Sequence, residues 1–169
     1  MDIQLKNVKH AAFASEETDC FTATVYIDGK KSGEVSNEGC GGCNTYHPWE
    51  LQKTLNDYAK TLPKIDCLYM GVKEDDPLRF MEQSDETLIG DLFNACMAER
   101  DLKKLLGKHI AFVKANVKGV YQTKVLPKAT IDRLLADSVY LAKQQTEGYQ
   151  ILNLMPFADA LSVYRAGAQ

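Results

Sequence analysis

Hydrophobic and polar positions alternate cleanly over residues 21–27: Phe21, Ala23, Val25 and Ile27 fall on one side, Thr22, Thr24 and Tyr26 on the other. A period of two marks a half-buried strand, because successive side chains of a strand point to opposite faces. Asp28-Gly29 follows, a pair suited to a two-residue hairpin whose central positions both take positive φ. A return strand over Lys31–Ser36 and a first strand within residues 3–14 complete a β-meander over 1–36. A loop rich in glycine and cysteine occupies 37–47.

The period then changes. Trp49, Leu51, Leu55, Tyr58 and Leu62 recur at helical spacing, which predicts a helix opening at Pro48, stopped by Pro63 and anchored in the core by Trp49. Ile65–Val72 reads as a strand and Glu74-Asp75-Asp76-Pro77 as a solvated turn. Ser84, with Asp85 and Glu86 behind it, caps a long helix that Gly107 is expected to end. His109–Val113 and Val117–Val125 read as two strands joined through Lys118-Gly119. A helix over Thr130–Gln145, a strand over Tyr149–Leu154 and a closing helix from Pro156 finish the chain. Hairpins imply antiparallel pairing, so the fold class is α+β: an antiparallel sheet built from hairpins, packed with three to four helices in a single domain, 1–169.

Composition narrows the class. The 169 residues are 45% hydrophobic and 25% charged, as in ordinary globular proteins. Such a chain buries about two-thirds of its unfolded surface, which makes a core without staples. Net charge is −3, from 20 basic and 23 acidic residues, and the basic ones occur at most in pairs such as Lys30-Lys31 and Lys103-Lys104. That argues against nucleic acid as a partner. The N-terminus lacks the apolar stretch of a secretory leader, and no apolar run is long enough for a membrane span, so a cytoplasmic protein is expected. Five cysteines, an odd number without framework spacing, read as thiols in a reducing compartment.

Candidate chemistry concentrates in Asn37-Glu38-Gly39-Cys40-Gly41-Gly42-Cys43-Asn44-Thr45-Tyr46-His47-Pro48-Trp49. Cys40, Cys43 and His47 are thiolate and imidazole ligands of the kinds zinc takes, with Cys20, Cys67 or His10 as the fourth. The usual second Cys pair of a zinc module is missing. A thioredoxin-like role needs the Cys pair at a helix N-terminus inside a βαβ unit, and neither condition holds here. Gly39, Gly41 and Gly42 expose backbone N–H groups ahead of a helix, as anion cradles do, yet neither glycine-rich phosphate fingerprint is present. A Cys–His pair for nucleophilic catalysis has no supporting acid in a recognisable motif. Against all of these stands a plain alternative, in which the glycines serve backbone geometry and the cysteines fill space. Cys67 and Cys96 read as core residues, and His109 as a capped or half-exposed residue at a strand start.

Cys20-Phe21-Thr22-Ala23, Tyr26-Ile27-Asp28-Gly29-Lys30-Lys31, Val35-Ser36-Asn37 and Tyr46-His47 resemble segments of small uncharacterised proteins found in phage and prophage sequences. Arg100-Asp101-Leu102-Lys103 and Ile151-Leu152-Asn153-Leu154, followed by Pro156-Phe157, fit the same resemblance. It implies a mobile-element protein acting inside a bacterial cell, and carries no activity with it. The combined expectation is a binding protein rather than an enzyme. Its partner is a host protein or a small ligand, met through Asn37, Gly39, Gly41, Gly42, Asn44, Tyr46 and Trp49, with Tyr46 and Trp49 as aromatic anchors. A metal- or thiol-dependent enzyme and a zinc-stabilised module are the alternatives.

Overall fold

The computed structural model of the chain describes residues 1–114 and 117–167, the side chains of Tyr69 and Met70 aside. The architecture is α+β, and the chain divides into two compact units, 1–96 and 97–169.

In the first unit, β1 (Ile3–His10), β2 (Phe21–Ile27), β3 (Lys30–Asn37) and β4 (Thr45–His47) form an antiparallel sheet in the order β1-β2-β3-β4. Asp28 and Gly29 take φ values of 49° and 79°, the hairpin expected of that pair. The alternation in β2 is realised in part: Phe21, Ala23 and Val25 are buried beside Ile3 and Leu5 of β1 and Val35 of β3, but Thr24 of the other face is buried too and Ile27 is only half-buried. Helix α1 (Glu50–Ala59) buries Leu51, Leu55 and Ala59. Trp49 is not the expected core anchor, being 73% exposed. It precedes Leu51 by two residues, which places it about 200° around the helix from the buried stripe.

The strand expected over Ile65–Val72 is only β5 (Ile65–Asp66), paired with β6 (Phe80–Met81). A 3-10 turn (Cys67–Met70) replaces the rest, because the Asp66 carboxylate accepts from the Leu68 N–H at 3.1 Å and holds Arg79 at 2.9 and 3.2 Å. Helix α2 (Asp85–Lys108) opens on a reciprocal cap: the Thr87 N–H donates to Ser84 Oγ at 3.3 Å, and the Ser84 N–H to Thr87 Oγ1 at 2.9 Å. Its early turns carry buried Leu88, Ile89 and Phe93, and the Phe93 ring meets that of Phe21 at 4.5 Å.

In the second unit α2 passes through Gly107 instead of stopping there. Its end is capped from a distance. Asn153 Nδ2 donates to the carbonyls of Leu106 and His109 at 3.3 and 3.0 Å, and its Oδ1 accepts the Ala111 N–H at 2.8 Å. A side-chain amide thus satisfies the terminal carbonyls that a left-handed glycine would otherwise serve. Strands β7 (Ala111–Lys114) and β8 (Val117–Gln122) pair as a hairpin, and β9 (Tyr149–Ile151) pairs with the other edge of β7. The residues between β7 and β8 lie outside those described, and Lys118-Gly119, expected at the turn, sits inside β8.

The helix expected over 130–145 is two helices, α3 (Lys128–Ala136) and α4 (Ser138–Thr146), so the described residues hold five helices rather than three or four. Asp137 makes the break. Its backbone is extended, and its carboxylate accepts from the N–H groups of Val139 and Tyr140 at 2.9 and 3.2 Å. Apolar periodicity continues across the junction, which is why pattern alone merges the two. Helix α5 (Phe157–Gly167) closes the chain. Leu102, Ala111, Leu152 and Ala160 form one buried cluster and Ile110, Phe112, Ile131 and Ile151 another.

Asp137→Ala should lower stability by about 1 kcal/mol, the usual cost of losing such a cap. The loss should appear in chemical denaturation followed by helix signal, and Asp137→Asn should recover most of it.

Candidate functional site

β1 ends and β2 begins at the same edge at which β3 ends, since His10 pairs with Phe21 and Phe21 with Asn37. The connections 11–20 and 38–44 therefore leave the sheet side by side, and one side chain joins them. Asn37 is buried. Its Oδ1 accepts from Thr18 Oγ1 at 2.8 Å and from the Gly39 N–H at 2.9 Å. Its Nδ2 donates to the Gly42 carbonyl at 2.9 Å and to Asn44 Oδ1 at 3.2 Å. Bent back in this way, the chain aims the Gly39 carbonyl at the other loop, where it accepts the N–H groups of Glu16, Glu17 and Thr18 at 2.9, 3.0 and 3.2 Å.

Gly39 and Gly41 are required here. Both have positive φ, 87° and 81°. A Cβ on Gly39 would lie 2.2 Å from the Ala14 carbonyl oxygen, and one on Gly41 would lie 2.2 Å from Glu17 Oε2. Gly42 has nothing within 4 Å and a φ open to other residues, so it is free to be replaced. The anion cradle expected of the Gly39, Gly41 and Gly42 amides does not form; the N–H groups that converge are those of 16–18, and they converge on the protein's own Gly39 carbonyl. The amides of Gly39 and Gly41 are also committed, to Asn37 and to Thr18 Oγ1 at 2.9 and 3.3 Å. With Glu16, Glu17, Asp19 and Glu38 in these loops and no Lys or Arg in 11–20 or 37–47, a phosphate would meet carboxylates.

Cys40 and Cys43 are free, exposed thiols. His47 is exposed and stands opposite Glu34, at the end of β4 that leads away from the loop. Cys20 is half-buried, Cys67 is buried in contact with the Ile65 carbonyl, and His10 Nε2 is held between Asp19 at 3.1 Å and Ser15 Oγ at 3.3 Å. Among the described residues no three or more His, Cys, Asp or Glu side chains converge on a metal-sized site, so the structure does not gather Cys40, Cys43 and His47 into a ligand set.

The second half of the loop is structural. The Asn44 N–H donates to Glu86 Oε1 at 2.8 Å, tying the loop to the first turn of α2. Tyr46 is only 7% exposed, so its ring is a core element rather than a surface anchor. Its hydroxyl is buried with Asp85 and Asn44 beside it, yet meets hydrogen-bond geometry with no partner among the described residues. Burial first, then the flanking Asp85 and Glu86, push its ionisation well above the ordinary phenol range, so it stays a neutral phenol. Burial, aided by the Asp85 charge, also raises the Glu86 carboxyl, against the lowering effect of the Asn44 N–H. Asp85 is buried too and accepts from Gln52 Nε2 at 3.2 Å.

The residue that sequence reasoning missed is Phe13. Residues 3–14 read as strand, which would have made Phe13 one more alternating position. The chain instead leaves β1 at His10 and enters a 3-10 turn over Ala12–Ala14, on which Phe13 is 95% exposed. Ser15, whose hydroxyl accepts the Cys20 N–H at 2.9 Å and donates to the Ala11 carbonyl at 3.2 Å, was the available signal that the strand ends. Comparison with family models, curated proteins and solved structures finds no match to the chain.

Tyr46→Phe should leave stability unchanged or raise it by about 1 kcal/mol, since it removes a buried, unpaired hydroxyl. Tyr46→Ala should cost about 3–5 kcal/mol by opening a cavity. Denaturant titration of both variants checks this, and a Tyr46→Phe loss of about 1 kcal/mol or more would mean that the hydroxyl is paired.

Proposed function

We propose that this protein acts by binding another protein through the paired loops 11–20 and 38–44, with Phe13 as the apolar anchor. The exposure of Phe13 carries the reading. Phe13 stands almost wholly in water on a 3-10 turn whose backbone is bonded to Ala11 and Ala12 and whose next residues are held by the Gly39 carbonyl, so the backbone that presents the ring is set before any partner arrives. Preordered aromatic side chains dominate interface energies because little entropy remains to be lost on docking.

Glu16, Glu17, Asp19 and Glu38 lie in the same two loops as the anchor, without a Lys or Arg in either, so the matching surface is an apolar pocket rimmed by Lys and Arg. Nucleic acid is disfavoured by the same charge. The resemblance to phage proteins points to a bacterial host protein in the cytoplasm as the target. No helix of the described residues is long and apolar enough to cross a membrane, which fits that setting. For the metal alternative, no group of three or more His, Cys, Asp or Glu gathers among the described residues.

Tagged protein expressed in a bacterial host should retain a specific partner. Phe13→Ser should weaken that complex by at least about 30-fold, the scale of a hot-spot residue. Its melting temperature should be unchanged, because the ring supports nothing in the fold, and raised salt should weaken the wild-type complex. Equal retention of the partner by Phe13→Ser and wild type would overturn the proposal.

A further inference from the structure

The second unit carries a cleft of about 700 Å³, with residues of β7, β8, α4, β9 and α5 in its wall. That volume is in the range of small-molecule sites, which run from about 300 to 1,000 Å³. Its lining has two kinds of group. Val117, Val163 and Ala166 give it apolar wall, and Lys114 and Lys118 give it charge. Among the described residues no Asp or Glu lines it, although the chain has 23 acidic residues against 20 basic ones. Glu147, the acid beside the lining residue Gly148, is turned to Lys143 at 4.0 Å.

The two lysines are held differently. The Lys114 stem lies over Gly148, with Cε 3.7 Å from where a Cβ on that glycine would stand, and its ammonium sits 5.3 Å from the centre of the Tyr149 ring. Tyr149 is itself braced by Phe112 and Tyr121 at 5.7 and 6.2 Å. Lys114 is exposed, with its charge placed beside the Tyr149 ring. Lys118 enters no ion pair among the described residues. A concave apolar wall with two cations and no anion is complementary to one ligand chemistry: a negative head on an apolar body.

We infer that this cleft binds a small organic anion, its carboxylate or phosphate head at Lys114 and Lys118 and its apolar part along Val117, Val163 and Ala166. The site is independent of the Phe13 surface and of the protein-binding role proposed for it.

Octanoate and octyl phosphate are suitable probes, with octanol as the neutral analogue and inorganic phosphate as the head alone. Each is titrated into uniformly ¹⁵N-labelled full-length protein and followed by amide shifts. The two anions should give saturable shifts centred on Val117–Gly119 and Gly148–Tyr149, with at least tenfold higher affinity than either control. Lys118→Gln, at an exposed side chain, should weaken the anions about tenfold while leaving the unfolding midpoint in place. Absence of those shifts, binding of octanol or inorganic phosphate as tight as that of the anions, or an unchanged affinity in Lys118→Gln would each overturn the inference. A preference between octanoate and octyl phosphate identifies the head group as carboxylate or phosphate.

Discussion

The Asn37 side chain sets the geometry of the whole candidate surface. It is a buried amide with both of its functions engaged, linking Thr18, Gly39, Gly42 and Asn44 at once. A buried amide left half satisfied would cost more than an apolar residue in its place, so a fully bonded Asn at this junction specifies one loop conformation. From that conformation follow the direction of the Gly39 carbonyl, the capture of the 16–18 amides and the presentation of Phe13 on the adjoining turn. Gly39 and Gly41 are the backbone side of the same constraint: both take a positive φ, and at Gly39 the Ala14 backbone also leaves no space for a Cβ.

This changes what the glycine- and cysteine-rich loop is for. An amide nest next to a helix is a familiar anion site, but here the nest closes on a carbonyl of its own chain. An occupied nest is a clasp. It converts two flexible connections into one ordered surface, at the end of a sheet whose core holds it in register. The loop's other half performs a second structural task, with Asn44 bonded to Glu86 and the Tyr46 ring in the core. What remains available to a partner is the outer face, with Phe13, the exposed thiols and the carboxylates.

Local signals carried much of the architecture. The strand over 21–27, the Asp28-Gly29 turn, the Ser84 cap and the helix after Pro156 are each set by neighbours within a few residues, and each appears in the structure. The misplacements share another cause: a distant or competing side chain decides the outcome. Asn153, more than forty residues away in sequence, caps α2, and Gly107 therefore has no capping role. Asp137 divides an apolar pattern that would otherwise run on as one helix, and Arg79 holds Asp66 where a strand was expected to continue. Tyr46, expected at the surface, lies in the core, and Trp49 lies at the surface, against its reading as a core anchor and in keeping with its reading as an exposed one, because burial follows helical phase and sheet facing, not aromatic character. The cleft of the second unit was invisible to pattern because its walls come from five separate elements, and its cations lie far in sequence from Val163 and Ala166.

The clasp is the central claim, and native-state hydrogen exchange tests it most directly. The amides of Glu16, Glu17 and Thr18 lie in a loop, where free exchange would be the default. With the Gly39 carbonyl as their shared acceptor, they should be protected at least about tenfold over unstructured peptide, and Asn37→Ala should abolish that protection while the central amides of β2 stay protected. Exchange of these three amides at the unstructured rate in the wild-type protein would contradict the account.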